Sequence, residues 1–195
     1  MAMPTIGVLA LQGDFEAHLE MLRQLDAPGR EVRTAAAMDD VDALIIPGGE
    51  STTMLRLLHR ENMWDRLAQF GAEKPIFGTC AGSILMAKGV SHPAQESFAM
   101  MDIDVIRNGY GRQLDSRIVA LEPEPDVVEE IGSQLEAVFI RAPVFERTGE
   151  DVQVLVRYQD KPVLVRQGKH LAAAFHPELT SDPRVHAYFL KTLAG

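Results

Sequence analysis

One cysteine is placed for chemistry. Cys80 lies in Gly78-Thr79-Cys80-Ala81-Gly82, directly after the apolar run Pro75-Ile76-Phe77 and directly before a stretch of helix formers. The pattern is a Gly-x-nucleophile-x-Gly elbow with sulfur in place of oxygen. Flanking glycines permit a sharp turn that lifts the nucleophile above the edge of a sheet. A helix starting here favours the thiolate with its positive end and leaves the Ala81 N–H without an intrahelical acceptor. A free thiol, with a pKa of about 8.5, needs such activation near neutrality. A lone buried cysteine is as a rule an inert core residue. The two glycines and the strand-to-helix junction set Cys80 apart.

A thiol nucleophile needs a base, and six histidines compete for that role. His18 and His59 fall on expected helices and are read as solvated. His92 lies in a Ser-His-Pro loop, His186 belongs to the closing helix, and His170 starts a strand behind Lys169, where exposure is expected. His176 differs. It ends the apolar run Leu171-Ala-Ala-Ala-Phe175, at the carboxyl edge where open α/β sheets gather their sites. Two positions on, after Pro177, comes Glu178, a carboxylate able to fix the imidazole tautomer from its other nitrogen.

A third segment completes the set. Pro47-Gly48-Gly49-Glu50-Ser51 follows a buried apolar run and precedes a helical stretch. Paired glycines let backbone N–H groups approach a ligand. The spacing and lysine of a P-loop are absent. The better use is an oxyanion hole, with the N–H of Gly49 (or Gly48) joined to that of Ala81.

These segments need elements to hold them. Residues 5–11, 41–47 and 75–79 read as short buried strands, with a weaker one at 31–35. Asp14 is expected to cap a helix carrying Phe15, Leu19, Leu22 and Leu25. Ser51 or Thr52 begins another, with Met54, Leu57, Leu58 and Met63, and residues 80–88 read as a third. This alternation points to an α/β fold with a parallel central sheet. From about residue 98 the rhythm changes to strands at 101–107, 116–121, 135–140, 152–158, 162–166 and 171–175; antiparallel hairpins are expected in the middle of the chain, added to the parallel core, with 171–175 a central strand. Residues 184–193 close the chain as a helix behind Pro183. Glu122-Pro-Glu-Pro-Asp126 reads as a solvated acidic loop.

Composition narrows the function. The 195 residues carry 19 Lys and Arg against 28 Asp and Glu, a formal net charge of −9, which disfavours non-specific nucleic-acid binding. One Cys excludes an internal disulfide, fits a reducing compartment, and with six His disfavours a structural zinc site. No metal or cofactor is called for. No basic leader precedes the first apolar run, and no stretch of 18 apolar residues occurs, so neither a secretory signal nor a membrane span is expected. The expectation is one cytoplasmic domain over residues 1–195.

Taken together, Pro47-Gly-Gly49, Gly78-Thr-Cys80-Ala-Gly82 and His176-Pro-Glu178 resemble the class I (triad) glutamine amidotransferases. Within that superfamily the chain is similar to the glutaminase-subunit family of pyridoxal 5′-phosphate synthase (PdxT/SNO). The added segments are Ile6-Gly-Val-Leu-Ala-Leu-Gln-Gly13, Pro47-Gly-Gly-Glu-Ser-Thr-Thr-Met54, Arg107-Asn-Gly-Tyr-Gly-Arg-Gln113, Phe139-Ile-Arg-Ala-Pro143 and Phe175-His-Pro-Glu-Leu-Thr180. The resemblance implies a flavodoxin-like three-layer α/β fold and hydrolysis of L-glutamine. It implies a (β/α)8-barrel synthase partner in a large hetero-oligomer, receiving the ammonia. Cys80, His176 and Glu178 take the triad positions, and Gly49, Glu50, Ser51, Arg112, Ile140 and Arg141 the glutamine-binding ones. A zwitterionic substrate suits them, with Arg112 or Arg141 for its carboxylate and Glu50 for its ammonium.

Two rivals differ by feature. A thiol hydrolase of the PfpI type shares the elbow but places His directly after the nucleophile, where this chain has Ala81. A silent regulatory module needs no intact Cys, His and Glu set.

Overall fold

The computed structural model describes residues 3–109 and 117–193. Its centre is a seven-stranded sheet in the order β10-β11-β12-β4-β3-β1-β2. The strands are β1 (Ile6–Leu9), β2 (Gly29–Val32), β3 (Ala43–Ile46), β4 (Ile76–Thr79), β10 (Gln153–Tyr158), β11 (Lys161–Gln167) and β12 (His170–Ala173). Five of them, from β2 to β12, run parallel, and β11 and β10 append antiparallel. β1, β3, β4 and β12 are buried at every position, as strands covered on both faces must be.

Adjacent residues of β4 reveal the two covering layers. The Phe77 ring meets His18, His186 and Phe189, from α1 (Phe15–Gln24) and α6 (Arg184–Thr192). Gly78 faces the other way, where a Cβ would lie 2.5 Å from Met86 Sδ and 2.7 Å from the Gly82 carbonyl carbon. Those atoms belong to α4 (Ala81–Met86), which packs on β4 and on α2 (Ser51–Arg60). The alternation of a strand thus fixes a helix layer on each side of the sheet. This is the expected flavodoxin-like α/β arrangement, and two smaller sheets supply the added hairpins. One is β5 (Ala87–Ser91), β6 (Met101–Ile106) and β9 (Val144–Thr148); the other is β7 (Arg117–Leu121) with β8 (Leu135–Phe139). Helices α3 (Trp64–Glu73) and α5 (Val128–Ile131) complete the chain. Among the described residues no helix is long and apolar enough to cross a membrane.

Several local expectations need correction. The strand expected at 31–35 is β2, two residues earlier, because β1 sets its register (Ile6 opposite Gly29) and its own sequence has no apolar run. The helix read over 80–88 stops at Met86, since Ala87 and Lys88 belong to β5, which pairs in parallel with β6. Residues 144–148 form a strand that the sequence reading passed over. Asp14 stands at the head of α1 but its side chain caps nothing. His18 is fully buried and His170 nearly so, against the exposure expected of both.

Candidate active site

The site rises from three neighbouring strands. β3 leads into the Pro47-Gly48-Gly49 loop, β4 into Cys80, and β12 through Phe175 into His176 and Glu178. The parallel registers of Leu44 to Ile76 and of Leu171 to Phe77 bring the three strand ends to one edge. Cys80 and His176, 96 residues apart in sequence, meet there.

Cys80 adopts φ 45° and ψ −104°, a conformation that a residue with a Cβ rarely takes and that costs of order 1–3 kcal/mol. The surroundings enforce it. The Cys80 N–H donates to the Ala173 carbonyl at 2.9 Å, and its own carbonyl accepts from Ile84 N at 3.2 Å and Ser83 Oγ at 2.7 Å. Gly82 is forced: a Cβ there would stand 2.0 Å from the Ile46 carbonyl oxygen. Ala81, the first residue of α4, is buried beside the sulfur's backbone. The thiol's other neighbour is the Ile140 carbonyl, 4.0 Å from Sγ.

His176 lines the same cavity as Cys80, and its Nδ1 lies 2.7 Å from Glu178 Oε1. Burial alone pushes the imidazole pKa down. Polar contacts with Cys80 and Glu178, with the charges on both, overcome that and lift it to about 10. Glu178 is itself buried; Oε1 is taken, while Oε2 has no hydrogen-bond partner among the described residues. Asp14, His176 and Glu178 also place ligand-type atoms within 4.8 Å of one another. Of these, His176 Nδ1 and Glu178 Oε1 are hydrogen-bonded to each other.

A cavity of about 320 Å³ opens beside the sulfur, at the small end for a metabolite site. Gly49, Glu50, Ser51, Ile140 and Arg141 line it with Cys80 and His176. Arg112 lies outside the described residues. Two wall residues, Arg107 and Asn108, were not singled out as site residues from the sequence. Arg107 directly follows the alternating apolar strand β6, a place where an arginine is ordinarily on the surface. Its guanidinium donates to Thr52 Oγ1 at 2.7 Å and sits 3.4 Å from Glu50 Oε1.

Glu50 serves the scaffold as well as the cavity wall. Its carboxylate accepts from Thr52 N (3.0 Å) and from Thr53 N and Oγ1 (both 2.7 Å), capping α2. Slight burial raises its pKa, but the bonds from Thr53 and Thr52 outweigh that and bring it to about 2. Its contribution to stability is therefore full above a pH of about 4.5, its unfolded value, and is lost as pH falls toward 2. Glu50→Ala should lower unfolding stability at neutral pH by about 1 kcal/mol, measured by urea denaturation. An unchanged midpoint would show that the cap contributes nothing.

Comparison with known proteins identifies the family and the fold. A sequence model described as the SNO glutamine amidotransferase family matches residues 8–194. The chain is 54% identical over 192 residues to the pyridoxal 5′-phosphate synthase subunit PdxT of Solibacter usitatus, covering 98% of this chain and 100% of that one. It is 46% identical to the protein of the same name from Kosmotoga olearia, over 97% and 98% of the two chains. A solved glutamine amidotransferase superposes with a TM-score of 0.88 at 46% identity, covering 97% of this chain and 99% of that chain. The PurLQS structure from Thermotoga maritima (TM-score 0.71, 17% identity, covering 98% and 100%) shares the fold.

Proposed function

The chain belongs to the SNO glutamine amidotransferase family, and from that premise we propose how its residues carry the reaction. It hydrolyses L-glutamine to L-glutamate and ammonia, and the ammonia serves pyridoxal 5′-phosphate synthesis. The observation that supports the mechanism best is the meeting of Cys80, His176 and Glu178 at one sheet edge, with a lined cavity beside the sulfur.

Cys80 thiolate attacks the side-chain amide carbon of glutamine. The oxyanion accepts hydrogen bonds from the N–H groups of Gly49 and Ala81; loss of one such donor costs roughly 10²–10³ in rate. His176, as imidazolium, gives its proton to the departing nitrogen, and ammonia leaves a thioester on Cys80. The neutral imidazole then takes a proton from water, whose oxygen attacks the thioester and releases glutamate. Glu178 holds the ring in the tautomer that both steps require.

Arg107 and Arg141 bring cations to the wall for the substrate α-carboxylate, and Glu50 brings the anion for its ammonium. Gly49, Ser51 and Ile140 shape the remaining wall. The chain acts as one amidotransferase domain with a synthase subunit that consumes the ammonia. That subunit is a (β/α)8 barrel, joined with it in a large hetero-oligomer. The complex works in the cytoplasm, where a reducing milieu preserves the Cys80 thiol.

The test is direct. The full chain, treated with an electrophilic glutamine analogue and digested, should carry the label on Cys80 alone. Glutamate release should rise at least tenfold when the synthase subunit is added, as expected if the partner completes the oxyanion hole. Labelling at another residue overturns the nucleophile; equal rates with and without the subunit overturn the partner's role.

A further inference from the structure

Two buried histidines, His18 on α1 and His186 on α6, lie behind Glu178 and have no part in the chemistry above. They form a line. His186 Nε2 is 2.8 Å from His18 Nδ1. His18 Nε2 is in turn 3.2 Å from Thr79 Oγ1 and 3.5 Å from Glu178 Oε2. At the far end, His186 Nδ1 has no partner among the described residues, and Oε2 is in the same position at the near end.

Proton placement follows from what each arrangement would strand. Both rings are neutral: burial first, then the neighbouring histidines, hold His18 well below its usual pKa, and burial brings His186 to about 3. Each ring therefore has one N–H and one lone pair. Were His18 protonated on Nδ1, it would donate to His186 Nε2, and the His186 proton would be stranded on Nδ1. A bare His18 Nε2 lone pair would then face the carboxylate. The opposite arrangement strands only a lone pair, the cheaper orphan in a protein interior, and points an N–H toward Glu178. His186 Nε2–H then donates to His18 Nδ1, and His18 Nε2–H donates to Thr79 Oγ1 while standing 3.5 Å from Glu178 Oε2, a longer electrostatic contact to an oxygen with no ordinary hydrogen-bond partner.

We propose that His18 is a positioning residue for glutamine hydrolysis, its Nε2–H holding the inner oxygen of Glu178 so that the outer oxygen stays aligned on His176. His186 fixes the tautomer of His18 from behind. A carboxylate anchored at one oxygen only can turn about its terminal bond. A second donor stops that rotation, and the imidazole keeps the orientation that serves both proton transfers. The proposal rests on the Cys80–His176–Glu178 mechanism.

Three variants of the full chain test it. His18→Leu removes the donor and keeps the bulk. His18→Gln puts an amide N–H near the place of Nε2, whereas His18→Asn reaches only the place of Nδ1. Expected for Leu and Asn is a kcat 10- to 100-fold lower, roughly, with KM within about twofold, and for Gln a kcat close to wild type. The low-field proton NMR signal of the His176 Nδ1–H bonded to carboxylate should persist in Gln and vanish in Leu and Asn. Wild-type kcat and an intact signal in Leu and Asn would overturn the proposal. So would an equal loss in all three, which marks a packing role. If Leu does not fold, the contrast between Gln and Asn decides alone. Cys80→Ala, assayed alongside, separates the two failures: if it stays active the mechanism itself is wrong, and if it is inactive while the His18 variants are unaffected only the positioning role falls.

Discussion

Cys80→Ala should lower glutamate release by roughly 10⁴- to 10⁶-fold, because members of a nucleophile–base unit fail together. The same substitution should change His176. Burial depresses the imidazole pKa, and the polar contact with Cys80 is the first of the influences that raise it to about 10, followed by Glu178 and then by the charge of Cys80. Without the sulfur, burial gains ground and the value falls, which an NMR titration of the histidine would follow. The linkage sign is fixed by the direction of the shift. A pKa lifted above its unfolded value of about 6.5 contributes stability that is full below that pH and lost as pH rises through about 10. The wild type should therefore lose more stability between pH 7 and pH 10 than Cys80→Ala does. Parallel losses, or full activity in the variant, would remove Cys80 from its assigned place.

Gly48→Ala should be almost as damaging, by another route. Gly48 does not have a positive φ, so its backbone tolerates a side chain. The obstacle is spatial: a Cβ there would stand 2.2 Å from His176 Cε1 and 2.8 Å from Nδ1. The ring is clamped from behind by Glu178 and cannot yield without breaking that bond. Displacing a catalytic base by an ångström costs roughly 10²-fold or more in rate. Labelling of Cys80 by a glutamine-analogue electrophile should slow in step with turnover. A variant that turns over at the wild-type rate would show that the loop and the imidazole are not in contact during catalysis.

The elements that position the site were the most legible part of the sequence. Val8, Ile45, Phe77 and Ala172 lie in short unbroken apolar runs because their strands are covered on both faces, and such runs say where a parallel sheet has its centre. The elbow could be read because few local structures need glycine on both sides of one residue, and Gly82 has a carbonyl oxygen 2.0 Å from where its Cβ would be. What could not be read was decided by distant partners. β2 takes its register from β1, and Ala87-Lys88, good helix formers, are drawn into β5 by pairing with β6. Arg107 was hidden because an arginine after a strand is ordinarily a surface residue; only the fold turns it into the cavity. His18 was misread for a subtler reason. The apolar positions Phe15, Leu19, Leu22 and Leu25 suggested one face, but α1 buries His18, Met21 and Leu22, a stripe rotated by about one residue. A histidine at helical spacing with two apolar residues fits that stripe only if another buried polar group awaits it, and His186 lies 168 residues away.

The order of strands also sets a timetable. β4, which leads into Cys80, borders β12, which leads toward His176, and the two are separated by nearly half the chain. A ribosome adding 5–20 residues per second makes Cys80 roughly 5–20 s before His176. Until β12 arrives, β4 has no partner on that side and Cys80 stands without His176. Any step that needs both Cys80 and His176 waits for β12 to be made and docked beside β4.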